Sequence, residues 1–202
     1  DQAGIVFDKA SVRIRRLAEA VDVVKGLLAG GPFSYKGEFF TINGLELSPG
    51  PIQSPPPILV GGGGREVLAV AARHADIVAL APQTPGTRSS WTRNVDPFSG
   101  RVDGRLEMLG PAIAEKVEWV RACAGDRVDD IELVGRLTAI VTDDRADGVR
   151  QCRALLDRLL GRGSRTGISD DDILRSPCYV VGTVDVLAEQ IVQRRERYGI
   201  GH

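Results

Sequence analysis

The stretch Pro55-Pro56-Pro57-Ile58-Leu59-Val60-Gly61-Gly62-Gly63-Gly64-Arg65-Glu66-Val67-Leu68 reads as a strand, a turn and a helix in quick succession. Prolines block ladder pairing and helix, so regular structure begins only after Pro57. Ile58-Leu59-Val60 is a short apolar run that suits a strand buried on both faces. After the glycines, Val67, Leu68, Val70 and Ala71 recur at helical intervals up to His74. A glycine run at a helix start leaves backbone N–H groups open to a ligand, and the helix dipole adds partial positive charge. Gly61, Gly62, Gly63 and Gly64 are therefore candidates for holding a phosphate or carboxylate, with Arg65 adding a charge-assisted contact. The plainer alternative is a tight strand–helix turn, although four glycines exceed what such a turn needs.

Composition narrows the class. The chain has 202 residues, enough for one domain with a real core, and residues 1–202 are read as one. A formal net charge of −1 gives no footprint of nucleic acid or a membrane surface. Uninterrupted apolar runs fall short of a membrane span. Cys123, Cys152 and Cys178 lack metal-ligand spacing and suit the reduced thiols of a cytoplasmic protein. Two histidines, His74 and His202, rule out a histidine-rich metal site, so no metal is expected.

Outward from the glycine run, strands and helices alternate. Ser11 is expected to cap a helix through Ile14, Leu17, Val21, Val24 and Leu28, with Glu19 among the charges of its solvated stripe. Phe33 to Ile42 reads as a small hairpin or excursion around Lys36-Gly37 rather than a main sheet strand. Strands are expected near Ile58–Gly61, Asp76–Ala81 and Ile131–Val141, the last interrupted at Gly135-Arg136. Pro111 suits a first helical turn, and Asp143 or Asp144 starts another helix. Ser169 and Thr183 are read as caps, and Gly199 as a stop. Such alternation argues for a parallel sheet with right-handed crossovers, whose ligand loops lie at the carboxyl ends of strands. The glycine run and the long aperiodic stretch from Pro82 to Gly110 both sit there, and that stretch is read as functional or disordered, with partial disorder without ligand and a lid role expected.

Other candidates carry less. His74 falls at the wrong end of its helix for a general base. Asp170-Asp171-Asp172 is read as a helix-capping run rather than a metal cluster. Arg88, Trp91 and Arg93 either clamp an anionic substrate or belong to a solvated loop, and Glu115 and Lys116 are read as surface charges.

Three segments together resemble the luciferase-like monooxygenase superfamily, and within it the oxidoreductases that use coenzyme F420. They are Arg16 to Leu28 with Phe39-Phe40, then Pro56 to Gly64 with Ala71-Ala72-Arg73-His74-Ala75-Asp76-Ile77-Val78, and Val181-Gly182-Thr183-Val184-Asp185 to Gln190. The resemblance implies a (β/α)8 TIM-barrel-type fold, here incomplete, with parallel strands roughly 5 to 7 and their helices. It implies that the glycine turn after the fifth strand binds the cofactor phosphate. About four strands before Asp1 and one after Ile200 are expected in a longer enzyme, so the resemblance carries over no catalytic residue. Three classes follow: an F420-dependent oxidoreductase acting on a small-molecule substrate, an FMN-dependent monooxygenase, and a non-catalytic half-barrel for binding or dimerisation. An arc of barrel leaves strand edges and apolar helix faces to cover, so a partner chain, a missing segment or dimer packing is expected, with a homodimer as the partner.

Overall fold

The structure of the chain, a computed structural model, describes residues 8–53, 55–83, 106–160 and 168–201. Helix α1 (Ala10–Leu28) leads into an antiparallel hairpin, β1 (Phe33–Lys36) and β2 (Thr41–Leu45). Lys9 occupies the N-cap of α1 and no side chain caps it, so Ser11 lies inside the helix and is not its cap. Glu19 is not simply solvated. Its carboxylate accepts hydrogen bonds from the N–H groups of Glu38, Phe39 and Phe40 at 2.7, 2.9 and 3.3 Å, tying the hairpin turn to α1.

The decisive stretch becomes β3 (Leu59–Gly62), the turn at Gly63-Gly64, and α2 (Arg65–His74), followed by β4 (Ile77–Leu80). Helix α3 (Gly110–Ala124) carries Pro111 in its first turn and returns the chain to β5 (Glu132–Gly135). These three strands form a parallel sheet in the order β3-β4-β5, as the alternation of elements predicts. Val60, Val78 and Leu133 lie in one row across it and are buried, Val78 completely. Helix α2 covers that row with Leu68, Ala71 and Ala72, all fully buried, and α3 adds Ile113, Val117 and Val120 to the same core. Each large side chain so buried contributes roughly 1.5–3 kcal/mol.

Two expectations are corrected here. β3 is buried on one face only, because side chains alternate and helices cover a single face. Leu59 is 53% exposed, and Gly61 beside it in the alternation is also exposed. The expected strand across Ile131–Val141 is two strands. β5 pairs with β4, whereas β6 (Thr138–Val141) pairs in parallel with β7 (Tyr179–Gly182). At the break, Arg194 Nη2 donates to the carbonyl of Gly135 at 2.7 Å. Ile200 bridges Leu133 in parallel on returning from the last helix.

Helix α4 (Arg145–Leu160) starts where Asp144 Oδ1 accepts from the N–H groups of Ala146 and Asp147. Helix α5 (Asp170–Leu174) opens on a reciprocal cap. Ser169 Oγ accepts from the Asp172 N–H, and the Asp172 carboxylate accepts from the Ser169 N–H. Of the acidic run, Asp172 is thus the capping residue, while Asp170 pairs with Arg153 and Asp171 with Arg175; among the described residues no group of three metal-ligating side chains converges. Thr183 caps α6 (Val184–Tyr198), and Gly199 ends it in the left-handed conformation. No helix among the described residues is long and apolar enough to cross a membrane. The three cysteines are free, and burial pushes the Cys152 thiol up to about 11. Residues 84–105, with Arg88, Trp91 and Arg93, and residues 161–167 lie outside the described residues.

Lys116 departs most from expectation. It is 1% exposed and forms an ion pair with Glu107, equally buried, from the 3-10 turn that precedes α3. Its position belongs to the apolar stripe of Ile113, Val117, Val120 and Ala124, which turns inward as a unit.

Candidate functional site at the carboxyl edge of the sheet

The glycine run lies where β3 gives way to α2, at the carboxyl edge of the parallel sheet. The start of the stretch after β4 lies against it: Ala81 N–H donates to Gly62 O at 2.9 Å, extending the ladder beyond β4. The structure thereby brings together Gly61 to Arg65 and residues 81–83, two chain segments that each follow a strand.

The four glycines are not equivalent. None of them has a positive φ, so backbone freedom explains none of them. A Cβ on Gly63 would lie 2.6 Å from Gln83 N and 2.7 Å from Ala81 O and from the Pro82 carbonyl carbon. All three are backbone atoms, so Gly63 is required by the close approach of the neighbouring strand exit. A Cβ on Gly62 would lie 2.5 Å from Val67 Cγ1, a side-chain tip that a rotamer change can move. Gly61 and Gly64 differ. The nearest atom to a Cβ is Ala79 Cβ at 3.5 Å for Gly61 and Gln83 Nε2 at 3.6 Å for Gly64, which is ordinary contact. Neither packing nor dihedral angle requires glycine at these two positions.

Gly64 is the N-cap of α2, with φ −93° and ψ 148°, and it offers no side chain to the N–H groups of the first turn. By contrast, the turn that follows β7 carries Thr183 Oγ1, which accepts from Val186 N–H. Helices α1 and α3 also start without side-chain caps, so the bare end is notable for its place on the sheet rather than for bareness alone. Arg65 and Glu66 are both exposed at this end. The arginine favours an anion there. The glutamate opposes one, because its carboxylate already complements the helix dipole.

His74 and Asp76 sit at the opposite, amino edge. His74 Nδ1 lies 2.7 Å from Asp22 Oδ1 on α1, away from the glycine turn. The Asp76 carboxylate accepts from Ile58 N–H at 2.8 Å and from Lys25 Nζ at 2.9 Å, and Arg127 Nη2 stands 3.9 Å off. One side chain thus fastens the starts of β3 and β4 to α1 and to the turn after α3. Partial burial works against its charge, but the hydrogen bonds from Ile58 and Lys25 and the charges of Lys25 and Arg127 together hold it below the usual carboxylate range. A lowered folded value means stabilisation that is complete above the unfolded value of about 3.9 and lost as pH falls through the lower folded value. Asp76→Asn should therefore unfold at lower urea than the parent at pH 7. The gap should close as pH falls below about 4, the unfolded value; a gap constant with pH would show that its charge contributes nothing.

With this geometry in place, comparisons with known proteins give a consistent answer. The luciferase-like monooxygenase family model matches residues 3–97, which take in α1, the hairpin, the glycine turn and β4. The 5,10-methylenetetrahydromethanopterin reductase of Archaeoglobus fulgidus is 32% identical over 98 residues, 48% of this chain and 27% of that protein. The FMNH2-dependent dimethylsulfone monooxygenase of Pseudomonas putida is 37% identical over 65 residues, 32% of this chain and 18% of that one. Among solved structures, an F420-dependent secondary alcohol dehydrogenase in complex with an F420-acetone adduct superposes with a TM-score of 0.58 at 18% identity. That match covers 98% of this chain and 57% of the dehydrogenase. At such identity the likeness shows the fold alone. The chain spans about a quarter of the length of the curated relatives it matches and about half that of the solved structures.

Proposed function

From a chain that is luciferase-like in sequence over residues 3–97 and in its parallel α/β fold, we propose that the glycine turn holds the phosphate of a cofactor in an F420-dependent oxidoreductase. One observation carries this reading: Gly64, at a bare helix end on the carboxyl edge of the sheet, and Gly61, within the strand before it, have room for a side chain and still have none. A missing Cβ that internal packing does not demand fits a surface that a ligand approaches closely. The N–H groups of Arg65, Glu66 and Val67 would donate to the phosphate oxygens, with the Arg65 guanidinium adding charge. When bound, the deazaflavin supplies hydride chemistry toward a small organic substrate. The chain's own contribution is to fix the phosphate end and so orient the cofactor. The relatives also favour a second reading, an FMN-dependent monooxygenase, because one of them is named for FMNH2. A homodimer in the cytoplasm completes the proposal.

The test is a fluorescence titration of the deazaflavin with FMN as competitor, paired with oxygen consumption to separate the two chemistries. Gly64→Ala is the informative variant, since its methyl group fits and costs the helix end no more than about 1 kcal/mol. It should lower cofactor affinity at least about tenfold, equivalent to ~1.4 kcal/mol, with little change in melting temperature. Arg65→Ala should cost less and weaken the salt dependence of binding. Unchanged affinity in Gly64→Ala would reduce the glycine run to a turn.

A further inference from the structure

A second feature lies away from the glycine turn, between the segment after α5, the start of β7 and the inward face of α6. A cavity of about 190 Å3 opens there, lined by Arg175, Ser176, Tyr179, Arg194, Arg197 and Tyr198, among others. A water occupies about 30 Å3 in the liquid, so the space holds several waters or one tetrahedral oxyanion with part of its ester. Three arginines line it, and no Asp or Glu does.

Two of its polar groups are left over. Arg194 is 6% exposed and Tyr198 is 5% exposed. Arg194 Nη2 is engaged by the Gly135 carbonyl, but its Nε–H has no partner, and neither has the Tyr198 hydroxyl. Among the described residues no carboxylate pairs with Arg194, and burial pulls its guanidinium below the ordinary value. A buried cation held by a single carbonyl is costly, as is each orphaned donor. Residues 194 and 198 stand one helical turn apart, so both groups face the same side of α6. Arg197 stacks on the Tyr198 ring at 5.3 Å, and Arg175, paired with Asp171 at 3.0 Å, stands at the exposed end of α5. Ser176 is already used, donating to Met108 O and accepting from Cys178 N–H.

We propose that this cavity is a binding site for a phosphate group, with Arg194 and Tyr198 as its buried donors and Arg197 and Arg175 at its rim. An oxyanion supplies what both orphaned groups and the uncompensated charge lack. Because Arg194 Nε and the Tyr198 hydroxyl have under 1 Å2 of accessible surface, a phosphate in the cavity meets Arg197 and Arg175 first, and its oxygens accept from the two buried donors once those side chains turn toward it.

The experiment is a titration of the 15N-labelled chain with inorganic phosphate at constant ionic strength, followed at the amides of 175–180 and 190–198 and at the arginine Nε–H signals. Saturable shifts there are expected, with none from chloride. Arg197→Ala, an exposed change that leaves the fold alone, should weaken binding about threefold, the scale of an exposed charge pair. Arg194→Gln should weaken it at least about tenfold, as for a buried charge-assisted bond. Tyr198→Phe keeps the ring and should fall between them. Amides of Arg65 to Leu68 report the glycine turn in the same spectra, so either reading can fail alone. Four results overturn the proposal: no saturable shift around the cavity, shifts confined to Arg65 to Leu68, acetate binding there more tightly than phosphate, or arginine variants that bind like the parent.

Discussion

Lys116→Met should destabilise the protein by about 3–5 kcal/mol, because it breaks a buried ion pair by removing the ammonium that Glu107 meets. Both side chains are 1% exposed, so neither can turn to water for compensation. Glu107→Gln should cost a comparable amount by stranding the ammonium. The double variant Glu107→Leu/Lys116→Met should recover a large part of the loss, since replacing a buried pair by apolar groups is often near neutral. Urea unfolding of the four proteins measures the cycle. Single variants that unfold at the parent's midpoint would show that the pair is not buried in solution.

Gly63→Ala is the second large effect expected, at about 1–3 kcal/mol, the range for forcing extra volume into a filled space. Its methyl group would meet backbone atoms of residues 81–83, and those atoms are fixed by the Ala81 N–H bond to Gly62 O. No rotamer change relieves such a clash. Gly61→Ala should cost much less, since its Cβ meets only Ala79 at ordinary contact distance. The contrast is checked by thermal unfolding of the two variants, and equal losses would reject this division of the glycine run. The same geometry makes a valine at Gly62 or Gly63 a poor probe of cofactor binding, because weak binding would then report a damaged turn.

Much of the architecture follows from interactions within a few residues, and these the sequence determines by itself. The spacing of Val67, Leu68, Val70 and Ala71 sets α2 at Arg65–His74. Ser169 and Asp172 make their reciprocal cap three residues apart, and Gly199 stops α6 because it tolerates the left-handed conformation. Alternation of such segments is enough to specify parallel pairing. The glycine turn and Arg65 are likewise visible as a candidate site, since a helix start after a strand is a local pattern. Tertiary structure decides what depends on distant partners. Whether a glycine is needed for packing at position 63, or is free at 64, depends on residues 81–83. Lys116 lay on the apolar stripe all along, but only the approach of Glu107 shows that its charge is matched within the core. Nothing local in the sequence marks the roles of Asp76 and Arg194. One ties Ile58 to Lys25, and the other donates to the carbonyl at the end of β5 and lines a cavity, contacts that reach across 18, 51 and 59 residues of chain. Their roles come from groups that folding alone brings within hydrogen-bond distance, where desolvation raises the cost of leaving any of them unmatched.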